Sequence, residues 1–93
     1  MSVTAIVKLT SLPGQRDALV SAMAPAVEAT RAQPACLAAD LLAGIENPDE
    51  LMLVEHWTSV VAHEKFIDGM IADGGLGDIM PLLAGELESS HYR

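Results

Sequence analysis

Leu51-Met52-Leu53-Val54-Glu55-His56-Trp57, with the helical stripe His63, Phe66, Ile67 and Met70 that follows it, carries most of the architectural information in this chain. The first seven residues are a short apolar run, and both of its sides are apolar: Leu51, Leu53 and Trp57 on one, Met52 and Val54 on the other. A strand covered by helices on one side only should be polar on the other. The residues after Trp57 change period, and His63, Phe66, Ile67 and Met70 make a helical stripe. The indole at the strand end and the imidazole on the first turn of the helix are expected to point into the same space between sheet and helix.

Upstream, Asn47-Pro48-Asp49-Glu50 is a strong turn signal, and Cys36 to Ala43 reads as the strand before it, so the two strands should form an antiparallel hairpin. Val3 to Thr10 alternates as a strand, and Leu12-Pro13-Gly14 turns the chain. From about Gln15 to Arg31 the pattern is helical, with Leu19, Ala22, Met23, Ala26, Val27 and Thr30 on one face. Pro25 lies inside that stretch and removes a backbone donor, which predicts a kink or a loosened turn. Downstream, Thr58 or Ser59 can cap the second helix, which should run to about Ala72 and stop at Asp73-Gly74-Gly75. A short turn broken by Pro81 follows, and Gly85 to Tyr92 can supply a last strand.

The order is β-α-β-β-α-β, an α+β fold of the ferredoxin-like kind with an antiparallel sheet, in one domain over residues 1–93. A chain of 93 residues has no room for two cores. Its 51% of hydrophobic residues include one Phe, one Tyr and one Trp, so the core must be built from aliphatic side chains and many alanines. Such a core is marginal for a monomer. With a mean hydropathy of +0.32 and an apolar second sheet side, a second copy laid sheet against sheet is the economical cover, giving a symmetric homodimer.

The formal charge of −8 repels phosphate backbones and acidic lipid surfaces, so neither nucleic acid nor a membrane is an expected partner. The single cysteine, Cys36, lies among apolar neighbours and reads as a small buried hydrophobe. No targeting segment opens the chain and no run approaches membrane-spanning length, so a cytoplasmic protein is expected. No His/Asp/Glu cluster has ligand spacing, and no metal is expected. The Gly74-Gly75-Leu76-Gly77 run follows a helix and lacks the Lys-Ser/Thr of a phosphate loop, which makes it a candidate flap at a cavity mouth.

Four segments, Leu12-Pro13-Gly14-Gln15, Ala29 to Cys36, Asn47-Pro48-Asp49 and Glu55-His56-Trp57-Thr58-Ser59, resemble in order and spacing the antibiotic biosynthesis monooxygenase (ABM) domain family. The resemblance covers nearly the whole chain. It implies a sheet-to-sheet dimer forming an α+β barrel, with a cavity in each subunit between sheet and helices. Some members oxidise aromatic phenols or anthrones to quinones with dioxygen and no cofactor, and others degrade haem. Haem-degrading relatives carry an asparagine on the first strand and a ligand histidine on the second helix; here Val7 and Phe66 stand there, and haem degradation is disfavoured. The anthrone oxygenases pair the tryptophan with a tyrosine and an asparagine, at whose places this chain has His63 and Leu53.

The expected activity is therefore cofactor-independent oxidation of a planar hydrophobic aromatic, with a non-catalytic binding or sensing dimer of the same fold as the alternative. Such oxidation needs a base to generate an electron-rich phenolate or carbanion, and a neutral imidazole can take that proton in a dry pocket. His63 is the candidate base, its competing role being a hydrogen-bonded core histidine. Trp57 is the candidate stacking wall, its competing role a core anchor. The candidate ligand-binding residues are Val7, Met23, Leu53, Phe66, Ile67 and Met70. Glu55 shares the Trp57 side and, if buried, is expected to pair with Arg31 or a backbone amide. His56 faces the opposite side, toward the expected dimer interface, and His91 and Tyr92 read as tail packing.

Overall fold

The computed structural model describes residues 2–93. Four strands, β1 (Val3–Thr10), β2 (Cys36–Ala43), β3 (Glu50–Trp57) and β4 (Glu88–Tyr92), form one sheet in the order β2-β3-β1-β4. Every neighbouring pair is antiparallel. Two helices, α1 (Arg16–Arg31) and α2 (Val60–Ala72), give the β-α-β-β-α-β order expected of a ferredoxin-like α+β chain.

Local chemistry accounts for the boundaries. Asn47 Oδ1 accepts the Asp49 N–H at 3.1 Å and tightens the turn that joins β2 to β3. Ser59 rather than Thr58 caps α2, its hydroxyl accepting the Ala62 N–H at 3.1 Å. Gly14 and Gly74 are the two positive-φ residues among those described, and they end the turn before α1 and the turn after α2. α1 runs through Pro25 without interruption. The ring forfeits the bond to the Ser21 carbonyl, but Leu19, Met23, Val27 and Thr30 on both sides of it are buried and hold the helix down. β4 is shorter than the alternation suggested, starting at Glu88, and a bulge at Leu37 shifts the β2 register.

The helix-facing side of the sheet is ordered in rows that run across the strands. Cys36, Trp57 and Val3 form one, and the next is Ala39, Glu55, Ala5 and His91. Then come Leu41, Leu53, Val7 and Ser89, followed by Ala43, Leu51 and Leu9. The segment after α2 folds over the far end of these rows: Ile79 is buried, and the Ala84 N–H donates to the Thr10 carbonyl at 2.7 Å. On the other side of the sheet Ile6, Met52 and Val54 are half-buried and Leu42 and Tyr92 exposed. Among the described residues no helix is long and apolar enough to cross a membrane.

Candidate active site

The four rows carry different side chains, and the space above them differs accordingly. Trp57 at the first row is 1% exposed, and its indole lies against the His63 ring at a centroid distance of 5.3 Å and the Phe66 ring at 5.6 Å. This corner is packed with aromatic rings over Val3 and Ala5. Above the third and fourth rows the filling is aliphatic and incomplete. A cavity of about 480 Å³ lies there, walled by Val7, Leu9 and Leu53 from the sheet, Met23, Ala26 and Thr30 from α1, and Ile67, Met70 and Ile71 from α2. Its exposed wall residues, Ile71, Gly74, Gly77, Met80 and Ser89, mark the mouth.

The hollow follows from the sequence of the two helices. α1 offers Ala22 and Ala26 on its packing face, and His63 is the one residue of α2 that is buried, so the C-terminal half of α2 stands off the sheet. Two of the three aromatics of the chain are spent in the corner and the third, Tyr92, is on the outer side. Nothing large is left to fill the far end.

One ionisable side chain belongs to both regions. Glu55, 1% exposed, contributes to the cavity wall and accepts the Trp57 indole N–H at 2.8 Å. Its expected partner, Arg31, instead donates to the Ala39 carbonyl at 2.9 Å and to Glu28 at 3.1 Å. An arginine at the C-terminal end of α1 meets the edge strand before it can reach the middle of the sheet, whereas Trp57 is two residues along the same strand face. Glu55 Oε1 also lies 3.7 Å from His63 Nε2, and His63 Nδ1 is 2.8 Å from His91 Nε2. The three meet because Ala5 stands between Glu55 and His91 in their row: a methyl group leaves room above it for the imidazole descending from α2.

Burial dominates the electrostatics. It raises the Glu55 pKa, against the opposing effects of the Trp57 hydrogen bond and His91, and it lowers the His63 pKa, with His91 adding to the lowering and Glu64 opposing it. Both shifts favour the neutral forms and so oppose a full ion pair across the 3.7 Å contact. His63 Nε2 is buried with no hydrogen-bond partner. The pKa of the half-buried Cys36 thiol is raised chiefly by burial, with Glu55 adding, which disfavours the thiolate.

Five of the residues expected to bind ligand, Val7, Met23, Leu53, Ile67 and Met70, line the cavity. Phe66, Trp57 and His63 do not; they fill the neighbouring corner, and the expectation that indole and imidazole border the hollow directly is corrected. The reason is size: the indole, packed against both the imidazole and the phenyl ring, fills the corner. Glu55 takes the place at the wall, and His91 is not tail packing but the partner of His63. The i,i+2 spacing of Glu55 and Trp57 on one strand face was a usable signal for their bond; the His63–His91 contact joins residues 28 apart and had none. His56 faces the open side as expected, bonded to Thr4 Oγ1 at 3.1 Å. Among the described residues no group of three His, Cys, Asp or Glu side chains is arranged to hold a metal. Glu55 and His91 address opposite nitrogens of the His63 ring, so the trio has no common point for a cation.

Solved structures share the fold. A Bordetella bronchiseptica protein provisionally named as an antibiotic biosynthesis monooxygenase is 19% identical, with 99% of this chain and 95% of that one covered and a TM-score of 0.87. Rv0793 from Mycobacterium tuberculosis is 22% identical, with 100% and 94% covered and a TM-score of 0.84. A Chloroflexus aurantiacus protein with the same provisional name is 26% identical, with 97% and 91% covered and a TM-score of 0.74. No curated protein matches the chain. The model of the antibiotic biosynthesis monooxygenase family matches residues 2–68, which run from β1 into α2 and include Glu55, Trp57 and His63. By that match over most of its length, and by the sheet order and helix placement that go with it, the chain belongs to the antibiotic biosynthesis monooxygenase family.

Proposed function

We propose that this protein is a homodimeric, cofactor-independent monooxygenase that oxidises a planar, uncharged aromatic of the anthrone or hydroquinone class with dioxygen. The observation that carries the reading is an apolar cavity of about 480 Å³ with a single carboxyl in its wall. That volume suits a small fused-ring molecule. With no cation among its lining residues, the cavity discriminates against carboxylated or phosphorylated ligands.

Glu55 is the group that touches the substrate. Burial raises its pKa, which makes its ionised form a stronger base than an ordinary carboxylate. For an anthrone, Glu55 takes a proton from the activated CH₂ carbon and leaves a stabilised carbanion. One electron passes to dioxygen, and the radical pair combines to a hydroperoxide. Loss of water, with the proton returned, gives the carbonyl: the CH₂ group and O₂ become C=O and H₂O. Trp57 acts through Glu55 by fixing one carboxyl oxygen with its N–H, and His63 acts behind Glu55 rather than on the substrate. The apolar wall keeps water from the radicals.

Dimerisation is supported by the outer side of the sheet, where Ile6, Met52, Val54 and Leu42 form an apolar surface that neither helix covers. Val54→Asp should convert the dimer to a monomer in sedimentation velocity; a wild-type monomer would remove this part of the reading.

The activity test is oxygen uptake by protein free of flavin and metal, with anthrone or a hydroquinone as substrate. Uptake that is lost in Glu55→Gln supports the reading. Thermal stabilisation by the aromatic without uptake would instead establish a binding or sensing module.

A further inference from the structure

We propose that Glu55, His63 and His91 form a proton relay that joins the cavity to the solvent side of β4, a proposal that rests on reading the cavity as the site of substrate oxidation. The geometry is a chain with a direction. Glu55 stands at the cavity wall, with Oε1 3.7 Å from His63 Nε2. His63 Nδ1 is 2.8 Å from Nε2 of the half-buried His91, one residue from the exposed Tyr92. His63 presents a different ring nitrogen to each neighbour, as a relay requires.

A purely structural role fits the arrangement poorly. A core histidine is kept for its satisfied hydrogen bonds, whereas His63 leaves Nε2 buried and unpartnered, facing a buried carboxyl oxygen across a gap slightly too long for a bond. The charged and titratable groups around the imidazole are Glu55 from β3, His91 from β4 and Glu64 on its own helix. Of these, Glu55 and His91 lie on opposite nitrogens, and Ala5 holds open the space between them.

The transfer balances. When Glu55 has taken a proton from substrate, its O–H gives that proton to His63 Nε2 as the gap closes. His63 gives the proton on Nδ1 to His91 Nε2, and His91 releases one from its other nitrogen. The imidazole changes tautomer and ends uncharged, Glu55 is again a carboxylate, and the negative charge left behind is the electron-rich substrate that reduces dioxygen. Breakdown of the hydroperoxide to water needs a proton back, and the reverse passage supplies it and restores the first tautomer.

Two measurements test the relay. His91→Gln keeps a hydrogen-bonding side chain but cannot take up and release a proton. It should bind anthrone with unchanged affinity while oxygen uptake falls about 100-fold, with partial recovery on adding imidazole. Wild-type turnover in that variant, with an unaltered solvent isotope effect, would overturn the relay. The second measurement does not need activity. In ¹⁵N NMR the His63 midpoint should move in both Glu55→Gln and His91→Gln, because each removes the neighbour of one of its ring nitrogens. An unmoved midpoint in either variant would overturn the relay even in an active enzyme, and moved midpoints in a protein that consumes no oxygen would leave the relay standing while the oxidation reading falls.

Discussion

At the Trp57 end of the sheet the space beneath α2 is solid, filled by an indole with an imidazole and a phenyl ring against it. At the Leu51 end the same sheet and the same two helices enclose a cavity of about 480 Å³. The two central strands are paired alike in both regions, with unbroken register from Val3–Trp57 to Thr10–Glu50. What differs is side-chain volume: one end received the large rings, the other alanines and flexible methionines. The solid end anchors the fold, the hollow end is free to bind, and Glu55 at their boundary draws its altered acidity from the first and presents it to the second.

The largest expected effect attacks the solid end. Trp57→Ala should destabilise the chain by about 3–5 kcal/mol, read from urea denaturation, because it leaves a void and also strips the Glu55 carboxyl of its N–H donor. A loss below about 1 kcal/mol would show that the corner is not the anchor. Next in size, a flat apolar ligand at a hundredfold excess over its Kd should stabilise the wild type by about 2.7 kcal/mol, seen as a raised Tm.

A matched pair of insertions sharpens the contrast. Ala5→Leu pushes bulk into the occupied corner and should cost about 1–3 kcal/mol. Ala26→Leu projects into the hollow, and should be neutral or stabilise by up to about 1 kcal/mol while abolishing ligand-induced stabilisation. Equal costs for the two would mean the hollow is not open.

The smallest effect is a slope with pH. Folded Glu55 holds its proton more tightly than it does unfolded, so its contribution is full below its ordinary value of 4.5 and drains as pH rises through the folded value. His63 has the opposite sign: its folded pKa is lowered, so its contribution is present above its ordinary 6.5 and is lost as pH falls. Glu55→Gln removes the first, and should therefore gain stability relative to wild type as pH climbs above 4.5. A flat difference across that range would show that the carboxyl is not perturbed by burial.

Much of this was legible in residue order. Alternation in Val3 to Thr10, the Asn47-Pro48 turn and the Ser59 cap are local signals, and local signals place strands and helices. The apolar lining was legible too, since Val7, Met23, Leu53, Ile67 and Met70 lie on core-facing stripes whichever way the stripes are brought together. Glu55 was visible as a buried-side carboxyl, but its partner was misread because Arg31 is attractive by charge, and only the packed distances show that it is used elsewhere.

The sequence by itself determined the elements, their order, the side each residue faces and the family, because periodicity and turn chemistry act over a few residues. Tertiary structure alone decided that the tryptophan corner is filled and the far end empty, since volume left over is a property of all the packed side chains together. It also decided that His91 meets His63 above Ala5, because strand register across a sheet sets which residues distant in the chain share a row.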